Sequence, residues 1–126
     1  MTAPRIERAQ RLVSELRDVL DAADLSDVIA TLDAAEVPSG ARHGIVVVAA
    51  PKLSFDGPFS MVGAVYEVHV IAGPSDNYLA AWERIDTIIQ ALVEGHVNLS
   101  SGEPGGYEPM RGDTIPAYTL ELNDLD

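Results

Sequence analysis

From Met61 to Ala72 the chain alternates between apolar and polar positions. Val62, Ala64, Tyr66, Val68 and Val70 share one face, while Glu67 and His69 fall on the other. The spacing predicts a strand with one side in the core and the other side wet or covered by a partner. After Gly73-Pro74 the period changes to three and four: Tyr78, Trp82, Ile85, Ile89 and Leu92 form a stripe that Ala81 and Ile88 widen. This predicts a helix with Ser75 as its N-cap, Asp76 beside the positive end of the dipole and Gly95 at its close. Glu83, Arg84, Asp86, Thr87, Gln90 and Glu94 take the solvent side.

The same patterning places the other elements. Pro4 suits a first helical turn, and Ile6, Ala9, Val13, Leu16 and Leu20, broadened by Leu12 and Val19, predict a first helix from about Arg5 to Ala22. Val28 to Leu32 reads as a short strand, with a short helix as the alternative because Ala34 and Ala35 favour one. Gly44 to Ala50 is the most continuously apolar and most β-branched run, a central strand ended by Pro51. Lys52 to Ser60 (KLSFDGPFS) contains a Gly-Pro turn and is expected to project as a loop or hairpin. Phe55 and Phe59 are the only phenylalanines, and they either cap the core at one end of the sheet or anchor a neighbouring subunit. Val97 to Asp113 is rich in Gly, Pro, Ser and Glu, so it is expected to be a long loop with at most a weak strand at Tyr107 to Met110. Ala117 to Leu122 alternates again, with Tyr118, Leu120 and Leu122 inward, and is expected to close the sheet. The sum is one α+β domain over residues 1–126. Its mostly antiparallel or mixed sheet of about four to five strands is packed by two amphipathic helices, with a flexible loop at about 96–114.

Charge narrows the function. The net charge is −12, and it is unevenly spread. Residues 1–17 hold four arginines against two glutamates, a balance of +2, whereas the remainder holds four basic residues against eighteen acidic ones, −14. Such a surface does not grip nucleic acid through its phosphates. With no cysteine the chain has no disulfide, thiolate metal site or cysteine nucleophile. No apolar run is long enough to cross a bilayer, and the polar start MTAPRIERAQ lacks the apolar segment of a secretory signal, which points to synthesis in the cytoplasm.

Catalytic chemistry is not legible. His43, His69 and His96 stand far apart, without partners at metal-ligand spacing; His69 with Glu67 reads as a surface pair. Gly102, Gly105 and Gly106 do not open a helix, and Ser54, Ser60 and Ser75 lack a nucleophile-elbow context. No enzyme, cofactor or metal is expected.

The order of elements carries a resemblance. A leading helix is followed by VIATLD, the apolar strand GIVVVAAP, the turn KLSFDGP, a long alternating strand, a helix after AGPSDN and a closing IPAYTLEL. With Pro51, Phe55-Asp56 and Pro116-Ala117-Tyr118, this resembles the tail terminator proteins of siphophages infecting actinobacteria. It departs from them at Pro51-Lys52, where a Pro-Pro is usual. The resemblance implies a homo-oligomeric ring, usually of six subunits, at the head-proximal end of the tail in the virion. That ring stops the tail tube protein from polymerising further and docks the head-completion (connector) proteins, while DNA passes through without being specifically bound. In that setting Phe55, Asp56, Phe59, Tyr107, Met110 and Arg111 are the expected subunit or partner contacts. Asp76, Glu103 and Glu108 are the expected carboxylates of the lumen, where they would repel phosphate. Other readings are a stopper or adaptor of the same junction, or an acidic module that mimics DNA.

Overall fold

A computed structural model describes residues 4–32, 43–55, 63–73, 77–107 and 115–122. In chain order they form α1 (Pro4–Ala22), β1 (Ile29–Thr31), β2 (Ile45–Val48), β3 (Lys52–Ser54), β4 (Gly63–Val65), β5 (Glu67–Ile71), α2 (Tyr78–Glu94), β6 (Leu99–Tyr107) and β7 (Ile115–Leu122). Five strands make a mixed sheet in the order β1-β2-β5-β7-β6, and β3 pairs with β4 in a separate two-stranded sheet. Only β1 and β2 run parallel; the other neighbours are antiparallel. The α+β domain with two amphipathic helices is thus as the patterning predicts.

Alternation along each strand divides the apolar residues between the two sheet faces. Val46, Val48, Tyr66, Val68, Val70, Leu120 and Leu122 join Leu12, Val13, Leu16 and Leu20 of α1 and Ile85, Ile88 and Leu92 of α2 in the main core. Each fully buried Leu or Ile contributes on the order of 1.5–3 kcal/mol. The other face, expected to be wet or partner-covered, has two halves. Ile45, Val47, Ile71, Ile115 and Ala117 form a second apolar cluster, exposed by no more than 5%. Glu67, His69, Thr119 and Glu121 occupy the half-buried polar remainder.

Four local expectations need correction. The alternating stretch is two strands, β4 and β5, because the pairing partner changes at Tyr66: residues before it pair with β3 and those after it with β2 and β7. Tyr66 itself stays in the core, and its hydroxyl donates to the Arg5 carbonyl at 2.9 Å, tying the first turn of α1 to the sheet. The cap of α2 is Asn77, whose side chain accepts from the Ala80 N–H at 3.2 Å. Ser75 and Asp76, expected at that end, lie outside the described residues, whereas Gly95 closes the helix as expected. The buried stripe of α2 is Ala81, Ile85, Ile88, Ala91 and Leu92, so Tyr78 and Trp82 turn outward.

The fourth correction is the largest. Leu99–Tyr107, expected as a loop, is the nine-residue strand β6, and it is β6 that closes the sheet beyond β7. A chain of Gly, Ser and Pro can do this because β6 needs only one partner and its residues from 101 to 106 are exposed. Of the segment expected to contain a weak strand at Tyr107 to Met110, only Tyr107 is described, as the last residue of β6.

Candidate interaction surfaces

Both edges of the main sheet are blunted. Ile29 N–H donates to the Gly44 carbonyl, so the next residue, Ala30, turns its backbone groups away from β2. There the Arg17 Nε and Nη2 both donate to the Ala30 carbonyl, at 3.2 and 3.0 Å, laying a guanidinium across the edge. At the opposite edge the Ala72 N–H donates to the Pro116 carbonyl, which orients Pro116, Tyr118 and Leu120 toward β5. Their partners on β6, Gly106, Pro104 and Gly102, therefore point outward, and Pro104 has no N–H to offer. Charge on one edge and proline on the other are recognised defences against strand addition. Contact with another chain then falls to side chains.

One such surface is the β3–β4 hairpin, which leaves the sheet where β2 ends and β5 begins. It carries exposed Leu53 on one face and exposed Val65 on the other, beside Lys52, and Phe55 follows at 70% exposure. That value removes Phe55 from the core-capping role and leaves it free for contact. Lys52 fixes the hairpin to the sheet: its Nζ lies 3.1 Å from Glu67 Oε1 and 3.4 Å from Glu121 Oε1. Those two glutamates face each other directly across β5 and β7, so the lysine neutralises a like-charge pair. Hydrogen bonding and attraction from Glu67, then from Glu121, raise the pKa of Lys52. One pair along, His69 Nδ1 is 3.0 Å from Thr119 Oγ1, and Glu103 pairs with Thr119 from β6.

A second surface lies on α2, which departs from the other end of β5. Tyr78, Leu79 and Trp82 are 58, 61 and 45% exposed, and the Tyr78 and Trp82 rings sit 6.4 Å apart with their planes tilted by 47°. Both aromatics were expected in the core because a stripe centred on them and the true one, rotated toward Ala81 and Ala91, share Ile85 and Leu92.

No protein-family model matches this sequence, and no curated protein matches it either.

Of the contacts expected from the sequence, Phe55 and Glu103 are exposed, and the backbone of Tyr107 ends β6. Asp56, Phe59, Met110, Arg111, Asp76 and Glu108 lie outside the described residues. The histidines are apart: His43 Nδ1 lies 3.4 Å from Asp27 Oδ2 at the surface, His69 is on β5, and His96 follows α2. Among the described residues no three His, Asp or Glu side chains are grouped to hold a metal ion, and no helix is long and apolar enough to cross a membrane.

Proposed function

We propose that this chain is a non-enzymatic assembly protein of the siphophage tail terminator type. It forms a ring at the head-proximal end of the tail tube, stops tube growth and presents a docking face to the head-completion proteins. The observation that carries this reading is the presence of two unlike apolar surfaces: the hairpin with Leu53 and Phe55, and the α2 face with Tyr78, Leu79 and Trp82. A ring closes through a heterologous interface, in which each copy offers two different patches and the sheet edges stay out of the contact. The net charge of −12 suits a channel that DNA must traverse without sticking. A nucleic-acid mimic fits less well, because it needs carboxylates spread over a face without large apolar groups, and α2 mixes the two.

Light scattering and negative-stain microscopy of the purified chain test the assembly, and addition to polymerising tail tube protein tests the role. Closed rings that cap tubes and shorten them are expected. A strict monomer without effect on tube length overturns the proposal.

A further inference from the structure

We draw no further inference here: the strongest candidate, the exposed Tyr78–Leu79–Trp82 face of α2, carries nothing more because nothing in the structure shows what covers it.

Discussion

Gly44 stands directly beneath Ile88: a Cβ on Gly44 would lie 2.6 Å from the Ile88 Cδ1, nearer than real carbon atoms approach. Gly44 also has φ +97°, a conformation side chains rarely adopt, at the point where the chain enters β2. Gly44→Ala therefore meets two obstacles, one of packing and one of backbone. It should lower stability by at least about 2 kcal/mol in urea unfolding. Gly95 separates the two causes, since its φ is −81° and the atoms nearest an added Cβ all belong to the Val19 side chain, the first at 2.5 Å. Gly95→Ala should be rescued by Val19→Ala, whereas Gly44→Ala should stay destabilised when Ile88 is shortened to Val. Full rescue at Gly44 would show that the backbone strain is unimportant there.

Lys52 makes a pH-dependent clamp. Because the partnership with Glu67 and Glu121 raises its pKa, the stabilisation is fully present below the ordinary value near 10.5 and is lost as pH rises through the higher folded value. The hairpin should thus be equally resistant to proteolysis at pH 7 and pH 9, and should loosen only in more alkaline solution. Lys52→Met should loosen it already at pH 7, because Glu67 and Glu121 then oppose each other without a cation between them. A Lys52→Met hairpin cleaved at the wild-type rate would remove the clamp.

Much of this architecture was readable, and what was not has definable causes. The first helix and β7 announce themselves because a buried face imposes a period, which Leu16 and Leu120 obey, and β2 because a strand buried on both faces is apolar from Ile45 to Val48. The strand β6 imposes no period: residues 101–106 are exposed, and Gly102, Pro104 and Gly106 turn their backbone groups to a free edge. Composition argued for a loop where backbone pairing alone makes a strand. The split at Tyr66 was equally hidden, since alternation records which face a residue takes and not which strand it pairs with. The exposure of Phe55 decides against core capping, one of the two readings its sequence neighbourhood allowed. Tyr78 and Trp82 were missed because aromatic residues at helical spacing fit a core stripe and an exposed docking stripe equally well.

Arg17 guards the β1 edge through its two hydrogen bonds to the Ala30 carbonyl. Arg17→Met keeps most of the aliphatic stem and removes both donors. The direct cost in stability should be modest, about 1–2 kcal/mol. The larger consequence should be an open strand edge beside exposed Ile29 and Leu32, 46 and 38% accessible. Light scattering during prolonged incubation should show faster aggregation of the variant than of a wild type brought to equal stability with urea. Equal rates would mean that the guanidinium stabilises β1 without protecting it.

Phe55 offers the cleanest separation of folding from assembly. At 70% exposure it has little to lose on folding, so Phe55→Ser should change stability by less than about 0.5 kcal/mol. If the hairpin meets a neighbour or the tube, the same substitution removes a large apolar contact from the interface, where such anchors carry about 2 kcal/mol or more. Assembly or tube capping should then weaken more than about tenfold in a protein whose melting temperature is unchanged. The comparison with Leu53→Ser is informative because Leu53 lies within β3, paired with Ala64, and is less exposed, at 44%. Leu53→Ser should reduce both stability and assembly, and Phe55→Ser assembly alone. Unchanged capping by the Phe55→Ser protein would exclude the hairpin tip from the contact and leave α2 as the surface on which recognition rests.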